Sequence, residues 1–266
     1  MKTIIFVHGM FQNPKSWDNW IAYFTEKGYN CIAPAWPLHE GEPAELRRNP
    51  PEDLGDLELS AILTKIESIV REQPEPPIVI GHSVGGLVVQ LLVAKGIVDI
   101  GVPISSVAPN AMLAFDWGFM KNSALIANPF KGNDPFYMDL ESFTASFTNT
   151  STEDESLRAY TETATHDSRN VLRDCMGEDG KIDTELPHVP MLFIGGEADE
   201  IIPAELVKRN AEAYTDEISI TDFKAFSNRA HWICGQQGWE EVAAYIADWL
   251  SQHEKLKYKV SQSSEL

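Results

Sequence analysis

The sequence predicts an α/β fold: a mostly parallel, twisted sheet with helices on both faces and a helical cap inserted into it. Three observations carry this. Up to residue 110, short β-branched runs alternate with helical segments in the order β-α-β-α-β-α-β, the pattern of a parallel sheet covered on both sides. From 111 to about 187 no convincing strand is legible, after which the sheet pattern resumes. Within the first block, Ile78-Val79-Ile80 runs into Gly81-His82-Ser83-Val84-Gly85-Gly86 and then into the apolar Leu87-Val88-Val89-Gln90-Leu91-Leu92, a buried strand, a sharp turn and a buried helix.

Taken in order, residues 3–7 are a strand. The short apolar run Ile4-Ile5-Phe6-Val7 ends in His8-Gly9 with no small-residue cleavage site, so it is expected to belong to the mature fold and not to an export signal. Trp17, Trp20, Ile21 and Phe24 recur at helical spacing over 14–27, and Gly28 closes that helix. Residues 30–33 are a second strand, followed by a polar, proline-containing loop to 51. Leu59, Ile62, Leu63, Ile66 and Ile69 share one face of an amphipathic helix over 57–70, broken by Gln73-Pro74-Glu75-Pro76-Pro77. The elbow helix runs to about 94, and residues 102–107 form the fourth strand.

The block 111–187 reads as the cap. Phe115, Trp117, Phe119, Phe130, Phe136, Tyr137, Phe143 and Phe147 crowd its first half at roughly twice the density expected from a chain that is 10% aromatic. Such residues serve either as the cap's own small core or as walls of a pocket above the sheet. Thr152-Glu153-Asp154-Glu155 has the form of a capping box opening a helix toward 163. The core, expected over 1–110 and 188–254, resumes with a strand at 189–196, a helix at 204–214, a strand at 218–223 and an amphipathic helix at 239–253. A polar tail over 255–266 is expected to fray.

Composition bounds the function. With 40 acidic against 21 basic residues the formal charge is −19, which argues against nucleic acid and anionic membrane surfaces as partners. The acidic residues are spread along the chain, so the acidity itself reads as a solvated surface or as adaptation to salt. No apolar run reaches the length of a membrane helix. Cys31, Cys175 and Cys234 show no metal-ligand spacing, and three reduced thiols in a cytoplasm is the simplest reading.

Gly81-His82-Ser83-Val84-Gly85 is a Gly-x-Ser-x-Gly motif, and its strand-before, helix-after context makes it a nucleophile elbow presenting Ser83. A serine hydroxyl needs a base within hydrogen-bond reach, and the base needs an orienting partner. Asp199, in the segment after the strand at 189–196, and His231, in the loop after the last strand, follow Ser83 in the chain order expected of such a sheet. Glu197, Glu200 and, more weakly, Asp222 compete for the acid; His82, His166 and His188 compete for the base. The His8-Gly9 turn after the first strand places the Met10 N–H, with the N–H of Val84, as oxyanion donors; the His8 ring is expected to bond local backbone. Phe11, Trp36, Phe115, Trp117 and Trp232 are the candidate pocket walls.

Phe6-Val7-His8-Gly9, Gly81-His82-Ser83-Val84-Gly85-Gly86, Gly196-Glu197-Ala198-Asp199 with Pro203, and Ala230-His231-Trp232 together resemble the α/β-hydrolase fold family, specifically its serine esterases and lactonases. The resemblance covers the chain to about 250 with the cap as its variable part. It implies a Ser83–His231–Asp199 triad, oxyanion donors at Met10 and Val84, and acyl transfer through an acyl-enzyme without metal or cofactor. Larger members have two strands ahead of the one carrying His8-Gly9, so about six strands are expected here. The expected substrate is a small, fairly apolar carboxylic ester or lactone. Amidases, C–C hydrolases, perhydrolases and hydroxynitrile lyases share the fold, as do non-catalytic ligand receptors, and fold alone does not choose among them. A haloalkane dehalogenase would need Asp in place of Ser83.

Overall fold

A computed structural model describes residues 1–110, 112 and 126–263, with side chains to His253. Six strands form one sheet: β1 (Thr3–Val7), β2 (Asn30–Ile32), β3 (Ile78–His82), β4 (Ile100–Ile104), β5 (Met191–Gly196) and β6 (Thr221–Phe226). Their order is β2-β1-β3-β4-β5-β6, and every pairing is parallel. All the C-terminal strand ends therefore lie along one rim, where ligands sit in sheets of this kind.

Side-chain alternation divides the core in two. Ile4, Phe6, Ile78, Ile80, Leu192 and Ile194 point to one face, where they meet Trp17, Trp20 and Phe24 of the N-terminal helical segment and Val242, Ile246 and Leu250 of the C-terminal helix. Ile5, Val7, Val79, Met191 and Phe193 point to the other face. There they pack against α3 (Leu59–Arg71), the elbow helix α4 (Val84–Ala94) and α8 (Ala204–Glu212). Strands buried on both faces read as nearly unbroken apolar runs, which is why β1, β3 and β5 were legible in the sequence.

The first helical segment is a 3₁₀ turn, Pro14–Trp17, continuing as α1 (Asp18–Glu26). The proline-containing loop predicted to 51 holds a short helix, α2 (Pro43–Arg48), with proline at its favoured first position. Between β4 and β5 the described residues contain α5 (Leu140–Ser146), α6 (Glu153–Thr163) and α7 (Arg169–Cys175), and the only strand pairing is an isolated bridge between Phe136 and Asp167. Helix α6 opens on a complete capping box, in which Thr152 and Glu155 satisfy each other's backbone N–H groups. Phe143, Phe147, Val171 and Leu172 of this insert join the same core cluster as α3 and α4.

The fourth strand is Ile100–Ile104 and not 102–107, and two later boundaries also differ from expectation. The last strand is Thr221–Phe226 and not 218–223, because Asp216 Oδ1 accepts the Ile218 and Ser219 N–H groups and holds 216–219 in a turn. Helix α9 (Trp239–Ser263) runs well past 254, where a frayed tail was expected. Among the described residues no helix is long and apolar enough to cross a membrane.

Candidate active site

The turn between β3 and α4 puts Ser83 at φ 56° and ψ −120°, a backbone region rarely occupied by a residue with a side chain. The surroundings hold it there. Its N–H donates to the Ile104 carbonyl (2.9 Å), and its own carbonyl accepts the N–H groups of Gly86 (3.0 Å) and Val107 (3.1 Å). The flanking glycines are required by close approach: a Cβ on Gly81 would lie 2.2 Å from the Gly85 carbonyl oxygen, and one on Gly85 would lie 2.3 Å from that of Val7.

His231 follows β6 and Asp199 follows β5. The imidazole Nδ1 stands 2.8 Å from Asp199 Oδ2, with both side chains buried. A carboxylate there fixes the tautomer with the proton on Nδ1 and leaves Nε2 as the acceptor. Asp199 Oδ1 in turn accepts the N–H groups of Ile201 (2.9 Å) and Ile202 (2.8 Å), so the acid is held from both sides. Its rivals are engaged elsewhere or face solvent. Asp222 accepts the Trp249 indole N–H (2.7 Å), Glu197 accepts the Ser227 hydroxyl (2.8 Å), and Glu200 is exposed.

Ser83 and His231 line one cavity of about 90 Å³ together with Met10, Phe11, Val84, Val107, Ile126, Met138, Ser146, Phe147, Leu172, Ile201 and Ile202. Its walls are apolar apart from the two candidate reactive groups and Ser146, whose hydroxyl is turned back to the Ser142 carbonyl (2.6 Å). Among the described residues no hydrogen bond joins Ser83 Oγ to the His231 ring; such contacts are commonly long before a substrate binds. The backbone N–H groups of Met10 and Val84 belong to residues lining this cavity, and neither donates to a protein acceptor among the described residues.

The sequence-derived pocket walls fare unevenly. Phe11 lines the cavity. Trp36 and Trp232 are not among the described residues that do. Trp36 is fully buried, its ring stacked 4.4 Å from that of His8 in the loop after β1. Trp232, itself buried, instead lines a surface groove with Trp239. Phe115 and Trp117 lie outside the described residues.

The His8 ring bonds local backbone. Its Nε2 accepts the Trp36 N–H (3.1 Å), so Nδ1 carries the proton and donates to the Gly9 carbonyl (2.9 Å). This needs a neutral ring, and burial, with the charge of His39 nearby, holds its pKa well below the ordinary value. His82 is likewise buried and kept neutral, by burial first and by His231 second; its Nε2–H donates to the His231 carbonyl (2.8 Å). Burial raises the thiols of Cys175 and Cys234, so neither competes as a nucleophile. Among the described residues no cluster of three or more His, Cys, Asp or Glu could hold a metal ion.

The family model of the alpha/beta hydrolase family matches residues 4–245. The chain belongs to that family. Solved structures similar to this α/β hydrolase include a monoacylglycerol lipase from Paleococcus ferrophilus, 21% identical, with 94% of each chain covered and a TM-score of 0.69. Methylketone synthase I of tomato is 15% identical, covering 95% of this chain and 98% of its own, with a TM-score of 0.69. A pyrethroid hydrolase from Sphingobium faniae is 17% identical over 93% and 96%, with a TM-score of 0.65. At these identities the likeness is one of fold. No curated protein matches the chain.

Three residues beside the site of this α/β hydrolase have roles that the sequence does not announce. His82 was weighed as a base, yet it anchors the His231 backbone. His39 and Asp167 form a buried pair, Nε2 to Oδ2 3.4 Å, and Asp167 Oδ2 also accepts the Phe11 N–H (2.9 Å). Nothing in the local sequence could announce a pair whose members come from the loop after β2 and from the insert.

Proposed function

We propose that this α/β hydrolase cleaves a carboxylic ester or lactone with a small, fairly apolar acyl group, through an acyl-enzyme on Ser83. The observation that carries the reading is that Ser83, on its strained turn, opens into the same apolar cavity as a histidine already paired with a buried aspartate. Esterases, a lipase and a hydrolase among the structural neighbours support the class. At about 90 Å³ the cavity is small beside the ~300–1,000 Å³ of sites for drug-sized ligands, which favours a short acyl chain.

In this mechanism His231 Nε2 takes the Ser83 proton as Oγ attacks the carbonyl carbon. Asp199 stabilises the imidazolium and holds its orientation. The Met10 and Val84 N–H groups receive the oxyanion, each donor worth about 3 kcal/mol in related sites. His231 then protonates the leaving oxygen, and water, activated by the same imidazole, releases the acid. The helices between β4 and β5 act as a cap that shapes the acyl pocket. Hydrolysis of a short-chain p-nitrophenyl ester by the wild type, set against Ser83→Ala, tests the reading. The variant is expected to lose activity by at least about a thousandfold with a nearly unchanged melting temperature. Residual turnover within tenfold of wild type contradicts it, as does a wild-type protein that binds esters without cleaving them.

A further inference from the structure

We propose that Asp167 is a positioning residue for the oxyanion loop, its carboxylate acting on the Met10 N–H through the backbone of Phe11. The proposal rests on the esterase reading of Ser83.

Met10 sits between two peptide units that are each held by a buried side chain. The first joins Gly9 to Met10 and carries the candidate oxyanion donor. Its carbonyl accepts the His8 Nδ1–H (2.9 Å), which fixes one side of that plane. The second joins Met10 to Phe11. Its N–H donates to Asp167 Oδ2 (2.9 Å), across 156 positions of sequence. The chain is then fastened again, since Thr165 N–H donates to the Phe11 carbonyl (2.9 Å) and Thr165 Oγ1–H to that of Gln12 (3.3 Å).

Phe11 needs this. Its φ of 62° is unfavourable for an aromatic residue, and such a conformation persists only where the surroundings over-determine it. Asp167 is fully buried. Its other oxygen accepts the Ser168 N–H (2.8 Å), and His39 Nε2 stands 3.4 Å from the oxygen that holds Phe11. A buried carboxylate with donors on both oxygens and a histidine beside it is costly to place. A hydrogen bond to an apolar loop turn does not by itself call for a charge. A rigid acceptor that keeps Met10 N–H aimed into the Ser83 cavity does, because donors serve catalysis only when they need not reorganise as the oxyanion forms.

The test compares full-length wild type, Ser83→Ala and Asp167→Asn with p-nitrophenyl acetate and with a short alkyl trifluoromethyl ketone. That ketone forms a hemiketal: the Ser83 Oγ–carbon bond is made, the carbonyl π pair moves to oxygen, and the hydroxyl proton passes to His231 Nε2. The adduct therefore carries the oxyanion. Asp167→Asn is nearly isosteric but sets an amide N–H₂ against a backbone or histidine donor. The expected result is a kcat lowered about ten- to a hundredfold, a KM within about threefold, and ketone affinity weakened by the same factor as kcat/KM. A purely structural role would not split kcat from KM in this way. If Ser83→Ala is inactive while Asp167→Asn keeps kcat within twofold of wild type, this proposal falls and the esterase reading stands. A loss confined to KM, or a fall in kcat without weaker ketone binding, also overturns it. Should Asp167→Asn fail to fold, Asp167→Glu keeps the charge and displaces the oxygens by one methylene, and the same outcomes decide. Turnover retained by Ser83→Ala overturns the esterase reading itself.

Discussion

Histidines near Ser83 divide by the direction in which burial and neighbours move them, and this gives the site a pH signature at the level of single residues. His8 and His82 are held neutral. Folding therefore disfavours their protonation, and their contribution to stability is whole above the unfolded value near 6.5 and is lost as pH falls below it. For His39 burial opposes the charge, but the carboxylate of Asp167 3.4 Å away, the Pro37 carbonyl and Glu40 outweigh it, and the pKa is raised. Its contribution has the opposite sense: whole below 6.5 and lost as pH rises through the raised value. His82→Gln isolates one of these effects, since the amide N–H can still reach the His231 carbonyl but takes up no proton. Thermal and denaturant unfolding between pH 7 and 5 is expected to show a shallower acid-side loss of stability in the variant, by up to about 1.4 kcal/mol per pH unit. An unchanged slope contradicts the assignment of His82 as a neutral anchor.

Among the elements, the helical insert does more than cover the sheet. The Phe147 carbonyl accepts the Trp232 N–H (2.8 Å), the Phe147 ring meets that of His231 edge-on with centroids 5.0 Å apart, and Asn149 Nδ2 donates to the Ala198 carbonyl (3.0 Å). Together with Asp167 and Thr165, these contacts tie the insert to the loops that follow β1, β5 and β6. Phe147→Ala should enlarge the acyl pocket while costing about 3–5 kcal/mol of stability. The expected kinetic result is a shift in kcat/KM of about tenfold toward longer acyl esters, read from a chain-length series; an unchanged preference shows that Phe147 does not bound the pocket.

The same elements show how far sequence reaches. Strands β1, β3 and β5 and helix α4 are legible as nearly unbroken apolar runs, and α3 as an apolar stripe at helical spacing. The capping box at Thr152 and Glu155 is legible because both partners lie within one turn. Strand β6 was placed three residues early because it is a half-exposed edge, Thr221-Asp222-Phe223-Lys224-Ala225-Phe226, with a weak pattern, whereas the preceding Ile218 is apolar and yet 80% exposed. Helix α2 is not legible because Pro43 and the prolines on either side of the helix read as loop. Residue type alone makes Trp36 a candidate pocket wall, and only the fold reveals that it stacks on His8.

For the whole molecule, the parallel sheet is what brings distant residues together: Met10, Ser83, Asp199 and His231 all follow strands at one rim. Those positions could be named from chain order, because each adjoins a strand with a strong signal. The supporting pairs could not, since His39–Asp167 and His82–His231 depend on how loops and insert dock onto that rim. The central claim is that this rim makes one hydroxyl reactive. The most direct measurement is peptide mass spectrometry after treatment with a fluorophosphonate, comparing wild type with His231→Ala. The account predicts a single adduct approaching one per chain on the peptide containing Ser83, formed at least about a hundredfold more slowly in the variant. No adduct in the wild type, or one formed on another residue or at an equal rate without His231, contradicts it.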